Sequence, residues 1–230
     1  LILGPRLAEV TNADSGEELV AFTQKVITKD GKSSATNLWL HNASSKRTIQ
    51  MTHLSKCGVG NPVFGLNLPA AENTLLYLKD SQVWGLPLEG GESSQVSDFP
   101  LPVESFKIFK GTGTKIWMLC VLSVYPGCSP TETKARDAAK EGGSSAMVFD
   151  NLMVRHWDTW NCYEKRNHLF ICKLEVKENG MLNAPVENLH DLMLQWESDC
   201  PSKPFGGAEE YSPSPDGTDI AIACRRTEKG

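Results

Sequence analysis

The sequence predicts an all-β chain assembled from small antiparallel sheets, and three observations carry that prediction. A strand, turn, strand phrase recurs: residues 37–42 with 48–52, residues 82–88 with 94–97 across Glu89-Gly90-Gly91-Glu92, and residues 168–174 turning near Glu178-Asn179-Gly180. Strands such as residues 116–122 and 220–224 are apolar on both sides rather than alternating, the pattern of a sheet covered on both faces. Gly90-Gly91 and Asp216-Gly217 supply the positive-φ positions that tight hairpins need. Recurrence at roughly 40 to 50 residues, by small sheets that cannot cover their own faces, is the signature of stacked blades. The expected fold is a partial β-propeller of four-stranded antiparallel sheets, about three blades plus the start of another, with loop insertions.

Taken in order, the turn-like residues 12–16 precede a weak first strand over 18–23. A polar loop at 29–32 leads to the strand at 37–42 and its hairpin partner at 48–52. Residues 74–78 form a strand ahead of the second unit, and residues 115–122 one well ahead of the third. Between them and the third unit, residues 131–141 follow Ser129-Pro130 and predict a short surface helix, with a strand over 146–154 after it. From Pro185 to Trp196, the spacing of Val186, Leu189, Leu192, Met193 and Trp196 fits one helical face. Pro213 removes a ladder donor, so the strand near Tyr211 is expected to begin later or lie at an edge.

Composition excludes several functional classes. Lys plus Arg total 23 against 28 Asp plus Glu, and no short stretch gathers the cations, which leaves a nucleic-acid surface unsupported. No apolar run reaches the ~20 residues that span a bilayer, and no basic-then-apolar leader precedes Leu7. The 7 cysteines are widely and irregularly spaced without a Cys-x-x-Cys pair, and the 5 histidines lack zinc-finger spacing, so no metal site is expected. Opening on Leu1 and stopping at Lys229-Gly230 just after a strand begins, the chain reads as a segment of a longer protein. Such a segment, isolated, would be expected to expose apolar faces and unpaired edges.

Catalytic motifs are missing as well. A serine hydrolase needs its nucleophile in a Gly-x-Ser-x-Gly elbow, and Gly142-Gly143-Ser144-Ser145-Ala146 lacks the second glycine. There is neither a phosphate loop nor a His-Glu-x-x-His helix, and Gly111-Thr112-Gly113 and Gly58-Val59-Gly60 read as turns. Asp150 and Asp158 stand too far apart along a strand for an acid and base pair. No catalytic residue is expected in this chain.

Three stretches carry a resemblance. Residues 144–160 crowd an apolar run, Arg155, His156, Trp157, Trp160 and two carboxylates together; residues 199–211 lead straight into Ser214-Pro215-Asp216-Gly217; residues 32–40 add a third match. On these, the chain resembles dipeptidyl-peptidase V and its relatives, the prolyl-oligopeptidase-type serine peptidases. That resemblance implies that residues 1–230 are an incomplete amino-terminal propeller, with the Ser, Asp and His in a downstream α/β-hydrolase domain. It implies a parent enzyme that releases dipeptides from peptide amino termini without metal or organic cofactor, partnered by peptide substrates and its own hydrolase domain. Neither nucleic acid nor membrane is an expected partner, and compartment and oligomeric state are not assigned. The propeller would gate access and contact substrate. It also favours a long, irregular connection over a helix at 185–196. An acylaminoacyl-peptidase-like enzyme and a non-catalytic interaction scaffold are the alternatives.

Two clusters are candidate substrate contacts. Arg155, His156 and Trp157 either line the cavity that meets the peptide or pack and hydrogen-bond at a blade corner. Glu209 and Glu210 either hold the substrate's free ammonium, as acidic side chains do in the wider clan, or form a solvated acidic turn before Tyr211.

Overall fold

A computed structural model describes residues 7–12, 19–27, 31–65, 73–141, 155–156, 159–160, 164–178 and 180–225. Its first sheet is a meander of β1 (Leu7–Asn12), β2 (Leu19–Ile27), β3 (Ser34–Asn42) and β4 (Arg47–Gln50). The second repeats that order with β5 (Val59–Phe64), β6 (Thr74–Lys79), β7 (Gln82–Pro87) and β8 (Ser94–Gln95). In the third, β9 (Ser105–Lys110), β10 (Ile116–Val124) and β13 (Arg166–Val176) are followed by β14 (Leu182–Asn183) and β15 (Leu189–Asp191), which share the outer edge of β13. A last pair, β16 (Tyr211–Pro213) and β17 (Ile220–Ile222), opens a fourth unit. Helix α1 (Pro130–Glu141) and the hairpin β11 (Arg155–His156) and β12 (Thr159–Trp160) are inserted between β10 and β13. Among the described residues all strand ladders are antiparallel, so the all-β, propeller-like expectation holds.

Why the strands are apolar on both sides is visible in what each face meets. In β6, Leu75 and Tyr77 pack with Ala21, Leu38 and Leu40 of the first sheet, while Leu76 packs with Phe106, Met118 and Cys120 of the third. β10 repeats the arrangement: Met118, Cys120 and Leu122 face the second sheet, and Leu119 and Val121 pack with Met193, Cys200 and Tyr211 towards the fourth unit. Each fully buried leucine contributes about 1.5–3 kcal/mol by leaving water, so a strand with two covered faces gains twice over. That gain exists only if sheets stack on both sides.

Successive first strands also approach one another: β1 touches β5, and β5 touches β9. A bulge in β5 serves this approach. Asn61 sits at φ 50°, a left-handed conformation that asparagine tolerates, and its Nδ2 donates across to Phe106 O of β9 at 3.0 Å.

Several expectations change. Residues 58–60 belong to a bridge and to β5, not to a turn, and β1, β5 and β9 are additional strands. The strand at Tyr211 does not begin later but at Tyr211 itself; among the described residues it lies at an edge, as the alternative expectation had it, and ends on Pro213, whose missing donor falls where the ladder stops. Over 185–196 the irregular connection favoured by the resemblance is what forms: a 3₁₀ turn, Val186–Asn188, runs into β15, and the helix allowed by the spacing does not form. Buried His168 explains this, because its Nδ1 lies 2.8 Å from Asp191 Oδ2 and its Nε2 donates to Trp196 O at 3.0 Å, fixing the connection as a loop wrapped around an imidazole. Helix α1 does form, on a reciprocal cap: Glu132 N donates to Ser129 Oγ, and Ser129 N donates to Glu132 Oε2 at 2.8 Å. The 146–154 strand, Ser144, Ser145, Asp150, Trp157 and Asp158 lie outside the described residues.

Candidate functional site

The connection from the third sheet to the fourth unit, residues 199–210, is built mostly of prolines, glycines and charged residues, so its shape is set by hydrogen bonds rather than by an apolar face. It is tied down at its start. Asn167 N donates to Asp199 Oδ1 at 2.8 Å, Cys200 N donates to Asn167 O at 2.8 Å, and Cys200 is buried, its thiol pushed up to about 11 by desolvation. In the middle, Gly206 N donates to Ser202 O at 2.6 Å. A β-carbon at Gly206 would stand 2.4 Å from Ser202 N and 2.6 Å from Glu210 Oε1, so only glycine lets the strand of loop close on itself there.

Glu209 and Glu210 sit on a 3₁₀ turn, Ala208–Glu210, immediately ahead of β16. The two carboxylates have different surroundings. Glu210 is half-buried and its Oε2 accepts from Ser202 N at 2.7 Å, which commits one oxygen to holding the loop. Glu209 is exposed, and its charge acts on the ammonium of Lys107. Beneath the turn, Lys107 of β9 donates from Nζ to Ala208 O at 2.6 Å and to Tyr211 O at 2.7 Å, with Nζ 4.6 Å from the Tyr211 ring centre. Burial pulls the Lys107 ammonium below the usual lysine range, and Glu209 opposes that shift. Ser105 and Tyr211 join the same two strands through their hydroxyls at 3.0 Å.

The inserted hairpin reaches this loop through one aromatic contact. His156, half-buried on β11, meets Phe205 edge-to-face at 4.8 Å between ring centres, and Phe205 is otherwise 77% exposed. Arg155 beside it is exposed and pairs in register with Trp160 of β12. The structure thus brings His156 to the loop that carries Glu209 and Glu210, joining two clusters separated by some fifty residues of sequence. Trp157 falls outside the described residues. Lys107 and Phe205 were not among the residues singled out from sequence. Phe205 lies within a stretch already noted for its resemblance, whereas the partners of Lys107 are 101 and 104 residues away and leave no local signal.

An exposed carboxylate beside a fixed one, on a loop that also carries an aromatic contact, has the chemistry to meet a cation. No family model matches the chain. A protein of Aspergillus clavatus named "Probable dipeptidyl-peptidase 5" is 28% identical over 243 residues, across 99% of this chain and 32% of its own length. Dipeptidyl-peptidase 4 of Giardia intestinalis is 25% identical over 63% of this chain and 20% of the relative. The chain is dipeptidyl-peptidase-like in sequence. It therefore spans about a third of the length of the first of these dipeptidyl-peptidase relatives and a fifth of the second. Dipeptidyl-peptidase 5 of Schizosaccharomyces pombe matches a shorter part, 34% identical over 73 residues. An acylaminoacyl peptidase of Pyrococcus horikoshii superposes with a TM-score of 0.50 over 86% of this dipeptidyl-peptidase-like chain and 26% of that one, at 9% identity, a likeness of fold alone.

Proposed function

We propose that this chain is the amino-terminal propeller portion of a serine exopeptidase that releases dipeptides from the amino termini of peptides. Its nucleophile, acid and base would come from a downstream α/β-hydrolase domain, and the stacked sheets would limit entry to short or unfolded chains. The observation that carries this reading is the alignment to a dipeptidyl-peptidase 5 along 99% of the chain. In this role Glu209 receives the substrate's ammonium while Glu210 keeps the loop in place. His156 and Phe205 form an aromatic wall beside it, with Arg155 at its rim, and Trp157 is a further substrate contact proposed from the sequence alone. A dipeptidyl peptidase must count two residues from a free amino terminus. A fixed anion at a set distance from the scissile bond does that, because it binds the ammonium and so sets which peptide bond reaches the serine.

The test is the product pattern of the intact protein that carries this chain. Incubated with a short unblocked peptide and followed by mass spectrometry, it is expected to shorten the peptide two residues at a time from the amino terminus. Release of one acylated residue would point to the acylaminoacyl alternative, and no cleavage at all to an interaction scaffold; either result contradicts the proposal.

A further inference from the structure

The turn that carries Glu209 has little to hold it from within. Ala208–Glu210 is three residues long, has no side-chain cap at Gly207 and contains no buried residue. A single turn of this kind gains no cooperativity from its own hydrogen bonds, and the two glycines before it contribute no packing. Its order has to come from outside. Three such contacts come from the same loop and from the residue after β17: Ser202 N to Glu210 Oε2, Cys200 Sγ to Glu210 O at 3.9 Å, and Ala223 N to Glu210 O at 2.7 Å. All three act on Glu210. The position of Glu209 depends on what fixes the two ends of the turn.

That role falls to Lys107. Its Nζ donates at 2.6 Å to the carbonyl of Ala208, directly before Glu209, and at 2.7 Å to the carbonyl of Tyr211, directly after Glu210. The ammonium lies against the face of the Tyr211 ring, and Tyr211 is itself buried and linked to Ser105 on the same strand as Lys107. Lys107 forms no ion pair with a described residue, so its charge is spent on two neutral carbonyls and an aromatic face. An ammonium placed this way binds backbone and an aromatic face rather than a carboxylate. The carbonyls it joins are those that bracket the carboxylate pair.

We propose that Lys107 is a positioning residue for the amino-terminus anchor: by clamping the carbonyls of Ala208 and Tyr211 it fixes where the Glu209 carboxylate stands relative to the scissile bond. This rests on the reading of Glu209 given above. Lys107 does not touch the substrate. It acts through the backbone on either side of the residue that does.

The experiment compares Glu209→Gln and Lys107→Met in the intact protein, with active enzyme counted by a fluorophosphonate label and a free-amine dipeptide p-nitroanilide as substrate. Methionine keeps the alkyl stem and removes the donors. Loss of hydrogen bonds to a charged donor is expected to raise KM by about tenfold or more while kcat per labelled site changes less than about twofold. Glu209→Gln is expected to raise the same KM. If Glu209→Gln leaves KM unchanged, the anchor reading itself fails. If Glu209→Gln raises it and Lys107→Met does not, only the clamp is overturned. A fall in kcat per labelled site with KM unmoved in Lys107→Met also overturns it, since that is the mark of a general structural role. Should Lys107→Met give no labelled enzyme, Lys107→Arg serves: it keeps the charge but replaces a point donor by a planar fork, and an unchanged KM there counts against the proposal.

Discussion

At the scale of single residues, identical side chains do different work according to what surrounds them. Glu209 and Glu210 are neighbours of one type, yet Glu210 accepts from Ser202 N and Glu209 faces solvent. Glycines divide likewise. Gly217 has a φ of +70°, and a β-carbon there would lie 2.0 Å from Lys110 O, because the turn between β16 and β17 rests against the turn that follows β9. Gly217→Ala therefore meets both a strained backbone and a backbone neighbour that cannot swing aside. It should cost well over about 1 kcal/mol and loosen the fourth unit first. Hydrogen exchange would check this, with the amide of Ala223, bonded to Glu210 O, losing protection while amides of β10 keep theirs.

At the scale of elements, legibility followed how local the cause was. β10 and β13 were readable because two-sided burial writes an unbroken apolar run, and α1 because Ser129, Pro130 and Glu132 cap it within four residues. β5 was not. Gly60, Asn61 and Pro62 are the residues of a turn, and here they build a bulge whose purpose is a bond to another sheet. In the 185–196 stretch the spacing alone pointed to a helix and the resemblance to an irregular connection; the connection forms, because buried His168 draws Asp191 and Trp196 around itself. Lys107 left no trace in its own neighbourhood, since its partners belong to a loop far along the chain. For β10 the account makes a clear demand. Leu119→Ala and Leu122→Ala remove buried groups from opposite faces, so each should cost about 2–5 kcal/mol in melts of the intact protein. A loss below about 1 kcal/mol at either would mean that its face is not packed against a neighbouring sheet.

At the scale of the whole molecule, three interfaces in sequence, first sheet on second, second on third, third on fourth unit, follow one rule: alternate residues of a strand serve alternate neighbours. The candidate site sits where that series is interrupted. The inserted hairpin and the 199–210 connection both depart from the repeating strands, and they meet at His156 and Phe205. A scaffold of regular sheets carrying its variable chemistry on loops is what a propeller offers a peptidase. The measurement that tests this most directly is the ratio of kcat/KM for a free-amine dipeptide substrate to that for its N-acetylated counterpart in the intact protein. An ammonium held by Glu209 predicts a preference of at least about 30-fold for the free amine, the equivalent of about 2 kcal/mol or more for one lost charge pair. A ratio near one, or a preference for the acetylated substrate, would contradict it.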